Sequence, residues 1–142
     1  MSLAILVVDD SAVMRAMIRR TLALGSVPAA RIGEAAHGRQ ALEMLAAEPW
    51  DLVIADINMP VMNGEEMIER IRAHPLTAEL PVVVVSTESS EARIEALCRF
   101  DVAFVHKPFT PAALAGAILR LIGVTDGHLP AASVDVGGDF DF

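Results

Sequence analysis

The 142-residue sequence contains no tyrosine and a single cysteine, and it has only 11 basic residues against 19 acidic ones. One cysteine excludes an internal disulfide and suits a reducing compartment. The formal net charge of −8 disfavours nucleic-acid binding, because phosphate backbones are bound by lysine and arginine. The sequence also lacks a bilayer-length apolar run and a signal-peptide pattern. We therefore expect a cytoplasmic location, no nucleic-acid partner and no membrane insertion.

Hydrophobic residues make up 54% of the chain, which is enough for one compact domain with its own core. Short runs rich in β-branched residues alternate with amphipathic patterns. The runs predict strands at 4–8, 31–35, 52–55, 81–86 and 102–106. The amphipathic patterns predict helices between Ser11 and Gly25 and at 39–47, 65–73, 90–100 and 111–122.

In the first helix, three apolar residues spaced four apart predict a stripe that faces the core. They are Met14, Ile18 and Leu22. Val13 and Met17 flank them, and we expect these two residues to widen the same buried stripe. The arginines of this helix are expected to face elsewhere.

The strict alternation of strands and helices predicts an α/β fold, with a doubly wound, five-stranded parallel sheet covered by helices on both faces. For its strand order we adopt 2-1-3-4-5, the order of flavodoxin-like sheets. We expect this domain to occupy residues 1–123. Residues 124–142 contain four aspartates, three glycines and no lysine or arginine, and they predict a flexible acidic tail.

Polar residues follow four of the predicted strands, at the edge of the sheet where α/β proteins place their ligands. They are Asp9, Asp10, Asp56, Ser86, Thr87 and Lys107. In the adopted order strands one and three are neighbours, so their three carboxylates should converge. Two like charges about 4 Å apart repel by roughly 4 kcal/mol at an effective dielectric constant near 20. A Mg²⁺ ion and Lys107 would balance them, and the pattern predicts a phosphoryl-transfer site.

Each of these residues taken alone has an ordinary explanation. The segment Asp9–Ser11 could simply cap the first helix, Asp56 could be a turn residue, and Lys107 could be a surface lysine. Their joint occurrence at the ends of four strands favours one shared site.

The residues that follow the strands also carry a family resemblance. Four segments carry it: Ile5–Ser11, Asp56–Pro60 with Gly64, Val85–Glu88 and Lys107–Thr110. In these segments the chain resembles the receiver domains of two-component response regulators, most closely the CheY-like, single-domain chemotaxis branch. The resemblance covers about residues 4–122.

The resemblance implies a role for each matching residue of the acidic site. Asp56 would accept a phosphoryl group from a phosphohistidine on a sensor histidine kinase or a histidine phosphotransfer protein. Mg²⁺ would be bound by Asp10, by Asp9 mainly through water, by Asp56, and by the backbone carbonyl of Asn58. The chain would assist its own phosphorylation and dephosphorylation without being an enzyme otherwise.

The resemblance also implies a switch. Ser86 and Lys107 would contact phosphoryl oxygens, and Phe104 occupies the family's switch-aromatic position. The face made by the fourth helix, fifth strand and fifth helix would then change for a downstream protein, whose identity the sequence leaves open. Plain core filling is the alternative explanation of Phe104. The family also has a cis peptide before the proline that follows its lysine, so we expect Lys107–Pro108 to be cis.

The sequence departs from the family pattern at several positions. The switch aromatic is often tyrosine, whereas Phe104 has no hydroxyl group. Thr87 stands where alanine or glycine is usual and should narrow access to Asp56. Phe100 and Asp101 replace the usual Gly-Ala, and His106 replaces an aliphatic residue; we interpret it as an ordinary strand-end histidine.

Two other functions remain open at this point. Phosphatases of the haloacid-dehalogenase type also use an aspartate nucleophile with Mg²⁺, but they carry Asp-x-Asp after the first strand, whereas Asp9 and Asp10 are adjacent. A receiver-like scaffold that binds partners without switching is the other alternative, and the complete acidic set argues against it.

Overall fold

The computed structural model of the chain describes residues 3–25, 27–57, 59, 61–87 and 90–122. Asn58 and the predicted tail at 124–142 lie outside the described residues. The strands are β1 (Leu3–Val8), β2 (Ala29–Ala35), β3 (Leu52–Ala55), β4 (Val82–Ser86) and β5 (Ala103–His106). The helices are α1 (Ala12–Leu24), α2 (Gly38–Ala47), α3 (Gly64–Ala73), α4 (Glu91–Cys98) and α5 (Pro111–Ile122). The predicted alternation is confirmed, and each predicted bound lies within two residues of the observed one. No helix in these described ranges is long and apolar enough to cross a membrane.

The five strands form one parallel sheet in the order β2-β1-β3-β4-β5, which confirms the predicted topology. Alternate residues of β1 enter different cores: Ile5 and Val7 pack with α1 and α5, whereas Leu6 and Val8 pack with α2, α3 and α4. A strand that is buried on both faces must be apolar at nearly every position. This requirement explains why β1 is a continuous aliphatic run.

The prediction for α1 was correct for its core stripe and wrong for the residues that flank it. Ile18 and Leu22 are buried and Met14 packs against the same cluster, but Val13 is 75% exposed and Met17 is 50% exposed. An α-helix turns by about 100° per residue, so Val13 lies a quarter turn or more from Met14. The face that α1 buries is too narrow to include this second apolar row.

Trp50, the only tryptophan of the chain, covers part of the edge strand β2. Its ring lies so close to Gly33 that a Cβ atom at that position would overlap the indole. Its Nε1 donates to the carbonyl of Met44 at 3.2 Å, and the Arg31 guanidinium stacks 4.3 Å from the ring centroid. These contacts fasten the α2–β3 connection to the side of the sheet.

Arg72, near the end of α3, joins the loops that lead into β4 and β5. Its guanidinium donates to the carbonyls of Leu80 at 2.6 Å and Phe100 at 2.7 Å, with longer contacts to Asp101 at 3.3 Å and Thr77 at 3.5 Å. The backbone of Asp101 is in the left-handed region, with φ 59°. Aspartate tolerates this conformation better than most residues do. One side chain therefore satisfies backbone acceptors from two loops at the amino edge of the sheet.

Burial lowers the pKa of Arg72, and the nearby Asp101 carboxylate partly offsets that effect. The guanidinium stays charged at any ordinary pH, because an arginine side chain is not deprotonated in proteins. Its hydrogen bonds are therefore charge-assisted.

We expect Arg72→Met to lower the free energy of unfolding by about 3 kcal/mol, because hydrogen bonds to a charged group contribute roughly 1.5–3 kcal/mol each and the carbonyls would lose their donor. Urea denaturation measures the change. Arg70→Met is the matched control: Arg70 lies on the same helix and pairs with Glu66 on its exposed surface, so its removal should cost less than about 0.5 kcal/mol. Equal losses in the two variants would contradict the structural role of Arg72.

Candidate functional site

Three carboxylates meet at the carboxyl edge of the sheet, as the strand order predicts. Asp9, Asp10 and Asp56 each offer an oxygen, and these oxygens lie within 4.8 Å of one another. The register of the two central strands pairs Val8 with Ala55, so the residues that follow them emerge side by side. The Asp56 amide also donates to the Val8 carbonyl at 3.0 Å, which extends the ladder to the site itself.

Lys107 brings a positive charge to the carboxylates from β5. Its Nζ lies 3.5 Å from Oδ2 of Asp9 and 3.5 Å from Oδ2 of Asp56, and its side chain is only 14% exposed. Its amide donates to the Ser86 carbonyl at 2.9 Å, which ties the ends of β4 and β5 together. The Lys107–Pro108 peptide is cis, as predicted.

Asp9 is buried and is held at three points. Its amide donates to the Ala35 carbonyl at 3.0 Å, and its Oδ1 accepts from the Ser11 amide at 2.9 Å. Its own carbonyl accepts from Nη1 of Arg15 at 2.6 Å. The remaining oxygen, Oδ2, is buried without a hydrogen-bond partner among the described residues, and the ammonium of Lys107 lies 3.5 Å from it.

Burial raises the pKa of the Asp9 carboxyl above its ordinary value. The Ser11 amide and the Lys107 ammonium act in the opposite direction and favour the carboxylate, whereas the Asp56 charge adds to the rise. Ionisation of Asp9 in this site therefore costs free energy that the Ser11 amide and the Lys107 ammonium only partly offset.

A divalent cation fits this arrangement. Three carboxylates face one ammonium, and Asp9 Oδ2 lacks a hydrogen-bond donor in the described part of the chain. Mg²⁺ takes oxygen ligands, commonly from one or two carboxylates together with water and phosphate. The backbone carbonyl of Asn58, the other predicted ligand, lies outside the described residues.

The predicted hydroxyl and aromatic residues lie on β4 and β5. Ser86 is fully buried at the end of β4, and Thr87 just beyond it is exposed. The register pairs Val84 with Phe104 and Ser86 with His106. Because side chains alternate along a strand, Ser86 and the half-buried Phe104 are on the same face of the sheet. His106 is exposed at the strand end and makes an edge contact with the Phe104 ring, with centroids 4.8 Å apart.

The contact between Arg15 and Asp9 was not predicted from the sequence, where Arg15 was expected only to face away from the core. Its Nε also pairs with Oε1 of Glu34 on β2 at 2.9 Å, and its side chain is 16% exposed. Nothing in the local sequence indicates this pair, because Arg15 and Glu34 meet only when β2 lies beside β1.

Comparisons with known protein sequences agree with the geometry of the site. The sequence model of the family described as "Response regulator receiver domain" matches residues 5–119. A chemotaxis protein CheY homolog of Campylobacter jejuni is 34% identical over 131 residues, which cover 87% of this chain and 95% of that protein. A protein-glutamate methylesterase/protein-glutamine glutaminase of Geobacillus kaustophilus is 46% identical over 118 residues, but the match covers only 32% of its length.

The fold is also similar to that of solved structures. The chemotaxis response regulator CheY4 of Vibrio cholerae superposes with a TM-score of 0.76 at 29% sequence identity, and the match covers 86% of this chain and all of that one. A structure described as a putative response regulator from Chloroflexus aurantiacus gives a TM-score of 0.78 at 24% identity, which supports the fold alone.

We expect Asp9→Asn to stabilise the metal-free protein at pH 7, because it removes the buried charge. A carboxyl group whose pKa is raised by folding disfavours the folded state at every pH above that raised pKa. This destabilisation decreases as the pH falls towards 3.8, the pKa of the carboxyl group in the unfolded chain, because the folded state then takes up a proton. The stabilisation should therefore be largest at neutral pH and should shrink towards pH 4.

Urea unfolding in EDTA at several pH values measures this dependence. Asp10→Asn is the matched control: it removes a carboxylate from the exposed side of the cluster, where burial adds little cost, so it should stabilise the protein less. A variant Asp9→Asn that is less stable than the wild type at pH 7 in EDTA would refute the prediction.

Proposed function

Because the chain belongs to the response regulator receiver domain family, we propose that it accepts a phosphoryl group on Asp56 and acts as a switch in two-component signalling. The donor is a phosphohistidine on a sensor histidine kinase or on a histidine phosphotransfer protein. The observation that carries this proposal is the position of Asp56, whose Oδ2 lies 3.5 Å from the Lys107 ammonium in a cluster with Asp9 and Asp10.

The proposed reaction is an in-line transfer between two side chains. A carboxylate oxygen of Asp56 attacks phosphorus while the bond from phosphorus to the donor imidazole nitrogen breaks, and the bonding electron pair returns to that nitrogen. Asp56 is suited to attack because its side chain is 13% exposed, so it is held by the fold and remains reachable. Lys107 lies where it can move from the carboxylate to a phosphoryl oxygen as negative charge is transferred onto the site.

Asp9, Asp10, Asp56 and the backbone carbonyl of Asn58 are the proposed ligands of Mg²⁺. When bound, the ion would neutralise charge on the phosphoryl oxygens and help to orient the phosphoryl group for attack by Asp56. Oδ2 of Asp9, which lacks a hydrogen-bond partner among the described residues, would gain one favourable contact from the cation.

The proposed switch begins with two new contacts to the phosphoryl oxygens. Each charge-assisted hydrogen bond, one from Ser86 and one from Lys107, would contribute about 1.5–3 kcal/mol. Together they approach the roughly 5.5 kcal/mol that shifts a two-state population from 1:99 to 99:1. Phe104 shares a face of the sheet with Ser86, so inward movement of Ser86 would free space into which the Phe104 ring can turn.

We propose that the output is protein binding at the face formed by α4, β5 and α5, of a chemotaxis or phosphorelay type. The names of the matched relatives support the chemotaxis type. In this proposal the chain is a cytoplasmic phosphoacceptor rather than an enzyme with a separate substrate, and it binds no nucleic acid.

We also propose that residues 1–123 form the functional domain and that 124–142 are an acidic tail outside it. The family match ends at residue 119, before the proposed boundary. A chain that stops at Gly123 should therefore accept one phosphoryl group from acetyl phosphate, as the full chain should.

We expect acetyl phosphate with Mg²⁺ to add one phosphoryl group to the protein and Asp56→Asn to abolish the addition, because the amide is not a nucleophile under these conditions. Intact-protein mass spectrometry counts the added groups. Asp51→Asn, which changes an exposed aspartate just before β3, is the control and should label normally. Full labelling of the Asp56→Asn variant would rule out Asp56 as the acceptor.

We expect Thr87→Ala to accelerate both labelling by acetyl phosphate and spontaneous loss of the phosphoryl group, by several-fold. Thr87 is exposed directly after the buried Ser86, where a β-branched side chain would crowd an approaching donor or water molecule. Thr87→Ser separates the two parts of the side chain, since it keeps the hydroxyl and removes the methyl group. If crowding is the cause, serine should behave like alanine; unchanged rates in both variants would refute it.

A further inference from the structure

We propose that Arg15 is a positioning residue for the divalent-cation site, which acts by fixing the backbone that carries Asp9 and Asp10. This inference rests on the proposed function, because it assumes that the acidic cluster binds Mg²⁺. Arg15 does not touch the cation in this proposal. It holds the turn between β1 and α1 in the conformation that directs the carboxylates towards Asp56.

The first argument concerns the carbonyl of Asp9. Asp9 stands just beyond the end of β1, where the paired ladder stops, and a largely buried backbone acceptor needs a donor from elsewhere. Nη1 of Arg15 supplies it at 2.6 Å. This carbonyl belongs to the peptide plane between Asp9 and Asp10, so the contact orients both residues at once.

The second argument is that Arg15 is itself held at two ends. Its amide donates to the Ser11 carbonyl at 3.0 Å in the first turn of α1, and its Nε pairs with Glu34 on β2 at 2.9 Å. The side chain is 16% exposed, so the guanidinium is confined between β2 and the β1–α1 turn. A donor fixed in this way can restrict the Asp9 peptide, which a mobile surface arginine could not do.

The sign of the expected effect separates positioning from simple electrostatics. A guanidinium close to a cation site repels the cation, so the loss of its charge alone should strengthen Mg²⁺ binding. Loss of a positioning contact should weaken binding instead, because outer contacts that orient metal ligands typically contribute about 10–100-fold in affinity. The two explanations therefore predict changes in opposite directions.

The experiment is calorimetric titration of the full-length, unphosphorylated chain with MgCl₂. We expect Arg15→Met, which keeps much of the apolar stem, to bind Mg²⁺ about tenfold more weakly than the wild type. Arg15→Lys keeps the charge but has one donor group in place of the guanidinium fork, so it should bind with intermediate affinity.

Arg19→Met is the matched control. Arg19 lies one turn further along α1 and approaches the same Glu34 at 3.5 Å, but its Nη1 donates to the Ile32 carbonyl at 3.2 Å rather than to Asp9. The variant removes the same charge from the same helix without touching the turn. Its Mg²⁺ affinity should equal or slightly exceed that of the wild type.

The outcomes distinguish this inference from the proposed function. Unchanged or tighter Mg²⁺ binding by Arg15→Met, with the wild type binding normally, would overturn the positioning role and leave the metal site intact. A wild type that binds no Mg²⁺ would overturn the proposed metal site instead. Denaturation of each variant in EDTA gives its folded fraction, and if Arg15→Met does not fold, wild-type affinity in Arg15→Lys overturns the inference.

Discussion

The concentration of negative charge at the carboxyl edge of the sheet is the constraint to which most of the site is adapted. Asp9 is buried with one oxygen that lacks a hydrogen-bond donor among the described residues, and Asp56 and Asp10 lie beside it. Left alone, such a cluster would favour protonation or separation of the carboxylates. The Ser11 amide and the ammonium of Lys107 oppose both effects, but they compensate the three carboxylates only in part. The remaining negative charge is what a divalent cation would balance.

The two edges of the sheet are built differently. At the amino edge, the Arg72 guanidinium donates hydrogen bonds to backbone carbonyls from the loops before β4 and β5. A single cation surrounded by neutral acceptors therefore links these two loops. At the carboxyl edge the charges are mostly of one sign and the strand ends carry reactive groups. In the proposed switch, the loops held by Arg72 would stay fixed while β4 and β5 change at Ser86 and Lys107.

Much of the architecture could be predicted because it follows from local patterns. The aliphatic run at 4–8 predicted a strand buried on both faces. The strand order did not follow from local patterns: it was adopted from flavodoxin-like sheets, and it placed Asp9 and Asp10 beside Asp56. Exposure of Val13 and Met17 was mispredicted, since periodicity shows that a helix has an apolar side but not how much of it a neighbouring helix covers.

The contacts of Arg15 and Arg72 could not be predicted, because both residues bind backbone carbonyls, and a carbonyl has no signature in the sequence. Asn58 and residues 124–142 lie outside the described structure, so the predictions made for them stay predictions.

The location of Trp50 determines what ultraviolet fluorescence can report about this protein. The indole lies against Gly33 and under Arg31, beside the amino end of β3, whereas Asp56 follows the carboxyl end of the same strand. With no tyrosine in the chain, emission excited near 280 nm arises almost entirely from this one ring. The intensity and wavelength of this emission therefore report whether α2 and β2 are packed together. Occupancy of the acidic cluster needs a probe at the carboxyl ends of the strands, and the exposed position 87 offers one place to introduce it.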